Sequence, residues 1–177
     1  MNQNHIPLVP SQGEEQAEIC FEGEALASFL NSIERNIQSS RNSDTTLPEK
    51  IWFKKQFAIG VNEVTRVLER MSLSASTEIS SETRQTKHKA SPPVRLQVIL
   101  VASDCNPRWL TRHLPDLASS RKVPVIYVKD KKAGSLRLGT LFKLKTAIAI
   151  GIKVKGNDIN QFIKEVLHDQ ARETSHL

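Results

Sequence analysis

Apolar side chains at Leu26, Phe29, Leu30, Ile33 and Ile37 recur at intervals of three and four. That spacing forms one stripe on a helical surface and predicts an amphipathic helix over Ala25–Gln38. Ser39 to Pro48 is polar and without period, a linker, so the folded domain is expected to begin near Glu49. Gln56-Phe57-Ala58-Ile59 reads as a short strand closed by Gly60, and Val61, Val64, Val67, Leu68 and Met71 then return to helical spacing. Residues 72–93 are rich in Ser, Thr, Glu and Lys and end in Pro92-Pro93, the pattern of a mobile loop.

Leu96–Ala102 is a buried strand rich in branched residues. Asn106 and Pro107 suit a helix cap and a first helical position, predicting a helix over 107–120 that bends or restarts at Pro115. A strand at Val123–Val128, a short helix near Ser135–Leu138 and a strand at Thr146–Ile152 follow. A last helix is capped by Asn157, with Ile159, Phe162, Ile163, Val166 and Leu167 on its apolar face. Strands alternating with helices predict an α/β fold, a three-layer α/β/α sandwich around a small mixed sheet with an N-terminal helical extension. The expected organisation is an extension over 1–48 (helix and linker after a disordered lead at 1–13), a domain over 49–170 carrying an insertion at 71–93, and a tail at 171–177.

Charge adds a direction. Residues 1–46 hold seven acids against Arg35 and Arg41, a balance of −5, whereas residues 121–155 hold ten bases against Asp130 alone, a balance of +9. A phosphate backbone would select such a basic segment, because each neutralised phosphate releases counterions. A solvated surface that aids solubility is the other reading, and charge does not decide between them. No apolar run approaches the roughly 20 residues of a membrane span, and the N-terminus lacks the features of a secretory signal. Cys20 and Cys105 stand far apart, and the five histidines are scattered without metal-ligand spacing, so neither a disulfide framework, a metal site nor a cofactor is expected. A reduced intracellular compartment fits this cysteine usage.

The chemistry concentrates at the start of the helix after Gly60. With Val61, Val64, Val67 and Leu68 facing a core, Asn62, Glu63 and Arg66 lie off the apolar stripe. Gly60 permits a tight turn, and the unpaired amides of a first helical turn form a seat for phosphate. Asn62 offers an amide donor and acceptor, Glu63 an acceptor for a guanine edge, and Arg66 a forked donor. An ordinary helix start with a Glu63–Arg66 surface pair explains the same spacing more simply.

These residues carry a resemblance. Gly60-Val61-Asn62-Glu63-Val64-Thr65-Arg66 is similar to the G-x-N-E-x-T-K/R signature of the L7Ae superfamily of kink-turn RNA-binding proteins. The similarity continues through Leu100–Pro107, His113–Leu117 and Val123–Val128, in the family's order, over roughly residues 52–154. Lys54–Arg70 and His113–Pro124 most resemble the thirty-eight-kilodalton-type protein subunits of ribonuclease P and MRP. The resemblance implies a non-catalytic RNA-binding subunit that grips the sheared G·A pairs of a kink-turn. It further implies a nuclear, nucleolar ribonucleoprotein engaged in tRNA and rRNA processing, with structured RNA and other protein subunits as partners and no membrane.

Carried over by position, the RNA contacts implied are Gly60, Asn62, Glu63, Thr65 and Arg66. Asp104 matches the acidic residue after the second family strand. Phe142, Lys143, Leu144, Lys145 and Thr146 match the loop that packs on a flipped-out nucleotide. That loop departs from the family pattern, placing Phe142, Leu144 and two lysines where many relatives have small residues and a proline. Three rivals remain open: a kink-turn protein of a ribosomal, small nucleolar or spliceosomal particle, a protein-interaction domain using the same sandwich, and a hydrolase acting alone. For the hydrolase, Asp104 and Asp116 would be the carboxylate pair, though nothing in the sequence brings them together. Trp109 is expected to pack beneath the sheet rather than to present a face to a partner, His113 to be structural, and Arg108 and Arg112 to share a face open to RNA or solvent.

Overall fold

The computed structural model describes residues 18–71 and 93–175. The expected lead at 1–13 and nearly all of the insertion at 71–93 lie outside them. Met71, its first residue, is described and buried in the core.

Five strands form one mixed sheet: β1 (Ile19–Glu22), β2 (Phe57–Ile59), β3 (Leu96–Ala102), β4 (Val125–Lys129) and β5 (Ala149–Lys153), in the spatial order β1-β4-β3-β5-β2. The pairs β1–β4 and β3–β4 are parallel, whereas β5 runs antiparallel to both β3 and β2. Around the sheet lie α1 (Gly23–Ser43), α2 (Glu49–Gln56), α3 (Val61–Arg70), α4 (Leu114–Ser120), α5 (Gly134–Thr140) and α6 (Asp158–Thr174).

Alternation along the strands divides the core in two. Val98, Leu100 and Ala102 of β3, Ile126 and Val128 of β4, and Ile150 and Ile152 of β5 face a cluster built with α1, α2, α5 and α6. Ile99 and Val101 face the opposite cluster, formed with Val64, Val67 and Leu68 of α3 and Leu114 and Ala118 of α4. Leu96 joins this second cluster because the β3–β5 register slips between Leu96 and Val98, and one extra residue reverses which face a side chain meets. The result is the three-layer sandwich that the alternation of strands and helices predicts.

The expected boundary at Glu49 does not hold. Strand β1 hydrogen-bonds to β4, and the stripe Leu26, Phe29, Leu30, Ile33 and Ile37 of α1 is buried in the larger cluster. Phe21 of β1 stacks on Phe29 at 4.5 Å between ring centroids. Helix α1 is therefore a layer of the sandwich rather than an extension, and it runs on to Ser43 through the first half of the expected linker. Four residues ending a sheet give too brief an alternation to announce β1. Helix α2 also lacks an expectation, although Pro48 precedes it and Trp52, Phe53 and Gln56 fall three and four apart on its buried side. At the far end, α6 reaches Thr174, so residues 171–174 are helix and not tail.

The N-terminus of α6 behaves as expected. The Asn157 side chain accepts from the Asn160 amide, and the Asn160 side chain returns to the Asn157 amide, a reciprocal capping box. Asn160 Nδ2 donates to Gln97 Oε1 and Gln97 Nε2 to the Asn160 carbonyl, each at 2.8 Å, and buried Gln56 donates to the Lys153 carbonyl and accepts from Asn157. These amides satisfy one another where α6, α2 and the sheet meet, as buried polar groups require.

A chain shortened to begin at Glu49 would leave Ile126 and Val128 without their cover from β1 and α1. It should lose the cooperative urea transition of the full chain; an unchanged midpoint would instead restore Glu49 as the domain boundary. Within the full chain, Ile33→Ala should lower stability by about 2–5 kcal/mol.

Candidate functional site

Three segments converge at the end of the sheet where β2 and β3 finish and β5 begins. Ile59 pairs with Ile150, and the Gly60 amide then donates to the Ala149 carbonyl at 2.8 Å. Gly60 leaves the sheet at φ +95° and ψ 157°, a backbone conformation that L side chains rarely adopt, and becomes the N-cap of α3. Its carbonyl accepts from the Val64 amide, and no side chain caps the first turn. Asn62 and Glu63 of this turn and Arg66 of the next line an open groove of about 770 Å³. Trp109, Leu110 and His113 form a second wall, and Leu144, Thr146, Ala147 and Ile148 a third.

Local bonds fix these walls. The Thr65 hydroxyl and His113 Nε2 lie 2.7 Å apart, tying α3 to the entry of α4, and Arg121 Nε donates to the Leu68 carbonyl at 2.9 Å. His113 is structural in this sense, as expected, and Thr65 is committed to this bond and does not line the groove. Arg66 reaches back to Glu63 at 2.9 Å, so the surface pair that explains the spacing most simply is present. Both side chains are substantially exposed, and such a pair contributes little to stability. Either partner can exchange it for a ligand contact.

The third wall rests on Gly139. A β-carbon there would lie 2.8 Å from the Thr146 backbone, so only glycine lets the loop approach α5 this closely. The Gly139 carbonyl accepts from the Leu144 amide, and the Ala147 amide donates to Ser135. Lys143, at φ +56°, sets its ammonium 2.8 Å from Glu49 Oε1. This hydrogen bond and its charge hold the Glu49 carboxyl below the usual carboxylate range. Burial lowers the Lys153 pKa, opposed by the Glu63 carboxylate, while its ammonium donates to the Lys54 carbonyl.

Gly60, Asn62, Glu63, Arg66, Leu144 and Thr146 thus meet in one groove. Lys145 is exposed beside them on the same loop and makes no ion pair among the described residues. Phe142 does not join them. It is buried against Phe53 and Phe57, at centroid distances of 5.5 and 4.8 Å, because its apolar bulk closes the core below the loop. Asp104 is also differently employed. Its carboxylate accepts from the amides of Asp130 at 2.7 Å, Lys132 at 3.0 Å and Gly134 at 3.2 Å, so its lone pairs organise the β4–α5 loop.

The helix expected over 107–120 is two pieces. Pro107 is extended, at φ −82° and ψ 144°, a single 3-10 turn spans Arg108–Thr111, and α4 begins at Leu114; Asn106 caps nothing. Trp109 on that turn is 68% exposed, contrary to the expected burial. A short turn carries no apolar stripe to draw its side chain inward.

Among the described residues no cluster of three or more His, Cys, Asp or Glu is placed to hold a metal. No helix there is long and apolar enough to cross a membrane.

Residues 87–162 match the ribosomal protein L7Ae/L30e/S12e/Gadd45 family. It is similar to the ribonuclease P protein subunit p38 of Homo sapiens, with 33% identity over 113 residues, 64% of this chain and 30% of the relative. The Bos taurus p38 subunit is 30% identical over 114 residues, again 64% of this chain and 31% of the relative. The chain thus spans less than a third of the length of these curated relatives. Its fold is similar to that of the Giardia lamblia 15.5kD RNA binding protein, with a TM-score of 0.53 over 84% of this chain and 90% of that one, at 14% identity. At that identity the likeness is one of fold.

Asp104→Ala should lower stability by about 1–3 kcal/mol, since three backbone amides, of which only that of Lys132 is exposed, lose their acceptor, with Asp104→Asn milder. Urea midpoints give the cost, and faster amide exchange at Asp130, Lys132 and Gly134 identifies the loop. Unchanged exchange there would contradict this role.

Proposed function

We propose that this protein is a non-catalytic RNA-binding subunit that stabilises a kink-turn-like bend through the groove at the start of α3. One observation carries the reading. Asn62 and Glu63 of an uncapped first turn and Arg66 of the next line a single open groove. A phosphate can sit on the free amides with the helix dipole behind them. The Glu63 carboxylate and the Asn62 amide can meet the exposed edges of G·A pairs, which offer both donors and acceptors. The fork of Arg66, released from Glu63, can take a guanine oxygen or a phosphate. Lys145 supplies attraction without base selectivity.

The family and the similarity to p38 subunits support a place in a ribonuclease P/MRP-like ribonucleoprotein of the nucleus or nucleolus, acting in tRNA and rRNA processing beside other protein subunits. The task is mechanical: holding two RNA helices at a sharp angle while other components dock. Phe142 and Asp104, carried over as contacts, serve instead as core and loop anchors beneath the groove, and Lys143 meets RNA only by leaving Glu49.

The test is binding to a kink-turn RNA and to the same RNA with its G·A pairs replaced by Watson–Crick pairs. Glu63→Ala and Asn62→Ala should erase most of the preference for the kinked form. Lys145→Ala should weaken both RNAs alike and reduce the slope of log affinity against log salt by about one. Equal loss of preference in all three variants, or no preference in the unaltered protein, would contradict the proposal.

A further inference from the structure

We infer that Trp109 is a stacking platform for an unpaired nucleobase of the bound RNA, on the wall of the groove opposite the Leu144–Thr146 loop. The inference rests on the RNA-binding reading and adds a base position to it. Trp109 is the most exposed of the chain's large apolar side chains that are described, at 68%. Its ring has no aromatic neighbour, and its indole N–H no partner, among the described residues. A single exposed apolar residue is ordinary, but this one lines the same groove as Asn62, Glu63, Arg66 and Thr146.

Its flanks set the occupant. Arg108 begins the turn and Arg112 caps its end; both are exposed, and neither makes an ion pair among the described residues. His113 completes that wall. An open indole face in a groove, with two exposed guanidiniums close by along the chain, can combine π-stacking with attraction of phosphate, the combination that holds single-stranded nucleic acid. A protein partner docking an apolar knob would more often cover several apolar side chains, and here Leu110, half-buried, is the only other one on the turn. The Leu144 loop can face one unpaired nucleotide while Trp109 holds another, so the groove would grip the bend from both sides.

The experiment measures full-length protein, as wild type, W109A and W109F, against a kink-turn RNA and a series in which each unpaired nucleotide in turn is made abasic. W109A should weaken binding of the intact RNA by about 5- to 100-fold, the range expected for one stacked base, and W109F should recover most of that loss. One abasic RNA should show a similar loss with wild type, and W109A should then add little. Unchanged affinity for W109A would overturn the inference while leaving the RNA-binding reading intact, and would leave the indole to a protein partner. Full additivity of W109A with every abasic site would also overturn it. Failure of wild type to prefer the kinked RNA would remove both. Matching urea midpoints for the three proteins separate lost stacking from lost folding.

Discussion

The hydrogen bond from the Gly60 amide to the Ala149 carbonyl joins the two segments on which the groove depends. It closes the β2–β5 ladder one residue beyond Ile59 and turns the chain out of the sheet into α3. Because β5 is antiparallel to β2 and to β3, its first residues lie beside the last residues of both. The Ala102 amide donates to the Ile148 carbonyl at 2.9 Å, fixing the other neighbour in the same way. The start of α3, the turn after β3 and the loop before β5 therefore have to meet at one end of the sheet. A parallel β5 would have sent that loop to the opposite end.

The sandwich also redistributes the basic residues that the sequence collects between 121 and 155. Lys131 and Lys132 belong to the loop wrapped around the Asp104 carboxylate, both at positive φ. Lys143 is paired with Glu49, and Lys153 donates to a backbone carbonyl. Arg121, Arg137, Lys143 and Lys153 thus direct their charge to groups within the fold, whereas the Lys131 and Lys132 side chains are exposed and make no ion pair among the described residues. Close to the groove along the chain, Lys145 of the basic run and Arg108 and Arg112 outside it are exposed and make no ion pair among the described residues. Charge density along the chain indicates a partner class better than it indicates the contact residues.

The layers and most elements are legible from periodicity, since β3, α3 and α6 each bury a face with regular spacing. Strand β1 escapes because four edge residues pack on one side only, and its membership of the sheet depends on pairing with β4, more than a hundred residues away. Glu63 and Arg66 are legible as candidates because they leave the apolar stripe of α3, and the ordered resemblance raises them above a plain helix start. Phe142 and Asp104 show the limit of carrying roles over by position. The first is claimed by a three-phenylalanine cluster and the second by three amides, and neither commitment leaves a trace in local spacing. Trp109 escapes for the opposite reason, because Pro107 takes an extended conformation and delays the expected helix.

The central claim is that RNA enters the groove between the start of α3, the Trp109 turn and the Leu144–Ile148 loop. Backbone amide chemical shifts recorded while a kink-turn RNA is added test it most directly. The account predicts the largest changes at Gly60–Arg66, Arg108–His113 and Leu144–Ile148, with α1 and α6 nearly unaffected. Changes concentrated on α1 and α6, or on Lys129–Lys132 with the Gly60–Arg66 amides unmoved, would contradict it.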